Sequence, residues 1–267
     1  MVRHGAAHVS RRNRTRAVRT AQYGVLVLIV VAVALAADWS QLRRAFFDAE
    51  VAREQFPDVV TTALVNTVVY TVLGFVFGLA LGLLLALMRL SPVPPYRWLA
   101  VAYIEFFRGV PALLVFIALG FGVPLAFQVS INQYVTVMLA LGLVGAAYMA
   151  ETIRAGIQAV PKGQTEAARS LGMSSSRAMV SIVIPQAFRI VLPPLANELI
   201  LLTKDSSLVY LLGLSMDQYE LAKFGRDALN QHRSLTPILI AGLFYLAITL
   251  PLGHLVRRLE ARAARAR

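Results

Sequence analysis

Cysteine is absent from the 267 residues, which excludes disulfides and thiolate chemistry and leaves the redox compartment undetermined. Charge is scarce as well. Charged residues make up 15% of the chain against 58% hydrophobic, and the mean hydropathy is +0.65, too apolar for a soluble domain of this length. A GxxxxGKS/T phosphate loop is missing, so the chain does not hydrolyse ATP by that mechanism. No inverted repeat is visible in the sequence, and no polar stretch is long enough for a large domain outside a membrane. These absences leave an integral membrane protein.

What is present is a series of hydrophobic runs separated by short polar segments. They cover residues 23–37, 59–88, 99–127, 134–157, 188–212 and 235–256, which predicts an all-α integral membrane protein with about six transmembrane helices. The expected organisation is a basic tail at 1–21, an N-terminal helix at 22–38, a transmembrane domain at 59–256 and a basic tail at 257–267. The first tail, with six arginines and no acid, reads as disordered and close to anionic lipid. Ala34-Leu35-Ala36 matches a signal-peptidase site, the alternative to an uncleaved anchor; Trp39 beside Asp38 favours the anchor as an interfacial helix end. Pro193 and Pro194 predict an irregular start to the fifth span. Gly74, Gly78 and Gly82 recur every four residues, a stripe that lets another helix approach closely.

The formal charge of +12, from 26 Lys and Arg against 14 Asp and Glu, would suit nucleic acid or cytoplasmic membrane loops. Its distribution decides. With the N-terminus inside, the cytoplasmic stretches hold the arginines of both tails, Arg89, Arg97, Arg154, Lys162, Arg169, Arg177 and Arg189, opposed by Glu166 and Glu260. The outer loops balance acids and bases, as with Asp217, Glu220 and Asp227 against Lys223, Arg226 and Arg233. The bias toward one side therefore accounts for the basic excess without nucleic acid, and places both termini and the loop at 160–188 in the cytoplasm.

That loop carries the strongest local pattern. Pro161 suits a first helical turn, Gln164 to Leu171 are mostly helix formers, and Gly172 suits a positive-φ stop. Ser174 or Ser175 caps a second helix, which Pro185 is expected to end. The residues Glu166-Ala167-Ala168, Gly172, Ile182 and Pro185 resemble the EAA loop of ABC importer permeases, with Ile184 where that family usually has Leu. EFFRGVP at 105–111, AAYMAETIRAG at 146–156 and LPPLANELILLTKDSSL at 192–208 are similar to its polar amino acid branch. The resemblance implies a five-helix permease core plus an N-terminal helix, and a coupling helix formed by Glu166, Ala167, Ala168, Leu171, Gly172 and Met173. It also implies an ABC ATPase dimer that binds ATP and Mg, a second permease subunit, an external substrate-binding protein, and residence in a bacterial cytoplasmic membrane. No cofactor or metal is expected in this chain, and the chain itself is a transporter subunit, not an enzyme.

Glu105, Arg108, Glu151, Glu198, Lys204 and Asp205 remain inside hydrophobic spans, where each needs a partner or water. Glu105 and Arg108, three apart, can neutralise each other. Glu151 reads equally as a substrate contact or a bond to a neighbouring helix. Asn197 and Glu198 follow the prolines and could satisfy carbonyls freed there. A stripe of Asn197, Leu201 and Lys204 or Asp205 could line a polar path. The substrate-pathway candidates are thus Arg108, Glu151, Asn197, Glu198, Lys204 and Asp205, with Thr67 from the second span. Val110, Val115 and Val144 stand where the resembled family often has Thr, Gln and Asn, so its substrate preferences do not transfer in detail. An ion-coupled secondary transporter or channel is the alternative function, with the intramembrane acids as ion sites.

Overall fold

A computed structural model describes residues 11–265, and these are helical almost throughout. They divide into two compact units, parted between Asp48 and Ala49. In the first, α1 spans Arg11–Ala36 and α2 spans Trp39–Phe46. Asp38 caps α2 by accepting from the backbone N–H groups of Ser40 and Gln41, and Trp39 Nε1 donates to the Ala34 carbonyl at 2.8 Å. Residues 11–21, expected to be disordered, are part of α1. Once the apolar span is helical, Arg and Ala extend it at little cost. The rest of the basic tail lies outside the described residues.

The second unit begins with α3, Ala49–Glu54, followed by a wide turn at Val59–Leu64 that leads into α4, Val65–Leu90. α5 runs Pro94–Gly109, α6 Ala112–Ile117 and α7 Val123–Phe127. The hydrophobic run at 99–127 is therefore not one straight span: α5 and the segment after it meet at 102°. Pro111 causes the break, because its ring disfavours helical backbone at the preceding residue, and Val110 is extended at φ −92°, ψ 131°.

α8, Gln133–Gln158, packs along α4. A Cβ on Gly78 would lie 3.1 Å from the Gly142 carbonyl oxygen, and one on Gly82 would lie 3.0 Å from that of Ala146. The glycine stripe is thus used within the subunit, bringing two backbones together where lipid gives no hydrophobic drive for helix association. The core around this seam includes Tyr70, Ile104, Phe116, Leu141 and Met149, all fully buried.

α9, Lys162–Ser170, and α10, Ser175–Ala178, form the loop after α8. A wide turn at Met179–Val183 joins α10 to α11, Ile184–Asp205, so Ser175–Leu211 is one continuous apolar segment. Pro185 does not end the second loop helix as expected. It falls in the first turn of α11, where no intrahelical N–H is required, and the wide turn before it leaves room for the ring. Pro193 and Pro194 also lie inside α11 without ending it; the irregular start sits upstream of them. α12, Leu221–His232, and α13, Thr236–Arg265, pack on each other. Val18–Ala36, Val59–Leu90, Gln133–Gln158, Ser175–Leu211 and Thr236–Ala263 are long and apolar enough to cross a membrane, and the bent α5–α6 pair makes up to a sixth.

Candidate functional site

The helix–glycine–helix loop forms as its residues dictate. Gly172 has φ +85°, its N–H reaches the Arg169 carbonyl at 3.0 Å, and the Met173 N–H reaches that of Ala168 at 3.1 Å. This paired arrangement satisfies the carbonyls at the end of α9 and requires a left-handed residue at position 172. Ser174 then accepts from the Arg177 N–H at 3.3 Å and caps α10. Val160, Val183 and Ala187 are buried together with Ile157 and Ile190 against them, fastening both ends of the loop to the ends of α8 and α11.

The loop has an inner and an outer face. Ala168 is only 5% exposed and turns inward, whereas Leu171 is 85% exposed. Ala167, Glu166 and Gly172 are also exposed and Met173 is half-buried. Glu166 forms no ion pair with Lys162 or Arg169 among the described residues; Arg169 instead bonds the Ser175 hydroxyl. An apolar side chain and an unpaired acid are therefore presented outward.

A second feature sits beside the α5–α6 break. A cavity of about 450 Å³ is lined by Arg108, Val110, Val144, Tyr148, Glu198 and Asp205, with Leu201 and Leu202 among the rest. Arg108 stands at the end of α5 with its guanidinium 5.9 Å from the centre of the Tyr148 ring. Glu198 and Asp205 are seven residues apart on α11 and so share a face. Asn197 and Lys204 are exposed and do not line the cavity; the polar stripe is Glu198, Leu201, Leu202 and Asp205. Asn197 makes no side-chain hydrogen bond among the described residues, so it does not serve the carbonyls freed by the prolines. Arg108 and Glu105 form no ion pair with each other, and Glu105 is exposed. Tyr148 escaped the sequence reading because a single tyrosine in an apolar helix has no local signature.

Glu151 lies elsewhere. Its carboxylate pairs with Arg89 at the end of α4 and with Arg154 Nη2 at 2.8 Å, and Arg154 also bonds Gln158. It thus ties the C-terminal end of α4 to the part of α8 that leads to the loop. A double-mutant cycle of Arg89→Ala and Glu151→Ala should show a coupling of about 1–2 kcal/mol in thermal unfolding of the detergent-solubilised protein. Additive effects would mean that the pair carries no tie.

Thr67 is also away from the cavity. Fully buried, it donates to the Ala63 carbonyl at 2.8 Å and accepts from the Leu221 N–H at 3.1 Å. Beside it Asn66 Nδ2 donates to the carbonyls of Asp217 and Tyr219, and the Tyr70 hydroxyl donates to that of Gln218. These bonds pin the segment before α12 to the start of α4. There the buried Glu220 carboxylate caps α12 through the N–H groups of Ala222 and Lys223 and accepts from the Tyr245 hydroxyl; burial pushes its pKa up to about 7.

A helical membrane protein with a charged cavity among its spans and a protruding loop at their ends has the build of a transport subunit. Residues 78–265 match the family described as binding-protein-dependent transport system inner membrane component, and the chain belongs to that family. It is 39% identical over 180 residues to the probable glutamine ABC transporter permease protein GlnM of Bacillus subtilis, covering 66% of this chain and 80% of that protein. With the arginine transport system permease protein ArtQ of the same organism it shares 38% over 175 residues, 66% of this chain and 78% of the other. A crystal structure of an amino acid ABC transporter with histidines superposes with a TM-score of 0.73 at 34% identity, over 80% of this chain and 98% of that one.

Proposed function

We propose that this chain is the permease subunit of an ATP-binding-cassette importer that carries polar amino acids or related solutes into the cytoplasm. A separate ATPase dimer would bind ATP and Mg and grip the α9–α10 loop; a second permease subunit, identical or related, would complete the pathway. An external substrate-binding protein would deliver the substrate, and both termini would be cytoplasmic in a bacterial inner membrane. The observation that carries this reading is the loop: a rigid turn with Leu171 and Glu166 facing outward, fastened by its ends to α8 and α11. The ion-coupled transporter or channel considered from the sequence gives no use to such a protrusion. The cavity residues Arg108, Glu198 and Asp205 are the substrate contacts in this scheme, and Glu151 acts at the α4–α8 tie.

In the cysteine-free background each introduced cysteine is the sole thiol. A cysteine at Ser175 should resist a membrane-impermeant reagent added to intact cells, and one at Met216 should react. Reaction at Ser175 from outside would overturn the orientation. Leu171→Asp should release the ATPase during co-purification, since it places a charge where about 1.5–3 kcal/mol of apolar burial is expected. Undiminished recovery of the ATPase would remove Leu171 from the contact.

A further inference from the structure

The cavity beside the α5–α6 break holds more negative charge than an ordinary zwitterion needs. Its lining contains one cation, Arg108, and two carboxylates, Glu198 and Asp205. Among the described residues none of the three side chains makes a hydrogen bond or ion pair within the chain, and Arg108 has only the face of the Tyr148 ring beside it. Charges so placed among membrane spans need partners, and a ligand can supply them. An α-amino acid satisfies Arg108 with its carboxylate and one acid with its ammonium group. One carboxylate is left over.

The spacing indicates what meets it. Seven residues of helix separate Glu198 and Asp205 by roughly 10 Å along one face. Side chains reaching toward each other shorten that gap to the order of an extended aliphatic stem with a cation at either end. The wall between them is apolar: Leu201 and Leu202 from α11, Val144 from α8 and Val110 from the break. Such a wall suits methylene groups, and the Tyr148 ring, with the Arg108 guanidinium 5.9 Å from its centre, completes the lining. Lys204, next to Asp205 in sequence, is exposed and lies outside the lining, so it stands at the rim and not among the groups that would touch a ligand.

Building on the importer reading, we propose that this cavity selects amino acids whose aliphatic side chain ends in a second positive charge, as in lysine and arginine. Arg108 takes the α-carboxylate, and Glu198 and Asp205 take one cationic end each. The test is equilibrium binding of radiolabelled L-lysine to the permease–ATPase complex in nanodiscs, competed by L-arginine, L-norleucine, L-glutamine, L-glutamate and 1,5-diaminopentane. L-Arginine should compete as L-lysine does. Norleucine and glutamine, which lack the second charge, should be weaker by about tenfold or more, the worth of one charge-assisted hydrogen bond. Diaminopentane, which leaves Arg108 without a carboxylate, should also be weaker. Asp205→Asn and Glu198→Gln should each shrink the preference for lysine over norleucine. Equal or tighter binding of glutamine, norleucine or glutamate to the unaltered protein overturns the proposed class, as does no binding at all. ATP-dependent uptake of any amino acid by vesicles holding the full transporter keeps the importer reading in either case, whereas uptake of none removes it.

Discussion

Gly172→Val is expected to uncouple ATP hydrolysis from uptake while leaving insertion into the membrane and the cavity intact. A Cβ at this position would meet no atom within 4 Å, so crowding is not the issue. The penalty comes from the backbone. At φ +85° a β-branched side chain is strained by about 1–3 kcal/mol, enough to depopulate the turn roughly fivefold or more. The two hydrogen bonds that close α9 would open, and Leu171 would leave its outward position. Gly172→Asn should be much milder, because asparagine tolerates the left-handed region. Co-purification of the ATPase, with uptake and substrate-stimulated hydrolysis in vesicles, reads out the effect. Coupled transport by Gly172→Val at the unaltered level would mean that the loop does not transmit the stroke. Ala168 is a poor site for the same question: its inward-facing methyl group means that a bulky replacement would disrupt the loop itself before reaching any ATPase.

Gly82→Val should give the largest loss of stability. The first added carbon would stand 3.0 Å from both the Ala146 carbonyl oxygen and the Met149 Cβ, and 3.2 Å from the Ala150 nitrogen. Backbone atoms of α8 cannot step aside as a flexible side chain would, so α4 and α8 must separate. Overpacking of this kind costs about 1–3 kcal/mol or more, and in a membrane the lost contacts are the main source of helix association. Thermal unfolding in detergent should show a lower midpoint, and size-exclusion profiles should broaden. Gly24→Val, where a Cβ meets nothing within 4 Å, is the control and should leave both unchanged. Matching midpoints for Gly82→Val and the unaltered protein would mean that the seam is not tightly packed.

Much of this architecture is legible in residue order. Hydrophobic runs locate the spans because lipid forces each backbone to satisfy itself within a helix. Gly172 announces its turn because no other common residue adopts that conformation freely. The glycine stripe announces a close contact, although the contact partner on α8 lies some 65 residues away in sequence and only packing reveals it. The break at Val110 and Pro111 was also encoded locally, in the restriction proline imposes on its neighbour; the apolar run on either side of it masked the signal.

Helical period alone says that residues seven apart on α11 share a face, so both the Glu198–Asp205 pair and the Asn197–Lys204 pair were admissible stripes. It does not say which face looks inward. That rotation is set by how α11 seats on α8 and α4, through contacts between residues distant in sequence such as Leu202 against Gly145. The same holds for Glu151, whose partner Arg89 is 62 positions earlier. Sequence therefore determined the spans, the loop and the set of charges requiring partners, because these follow from solvation and local backbone preference. Tertiary structure decided which charges meet each other and which face the cavity, because helix rotation is fixed by side-chain packing between spans.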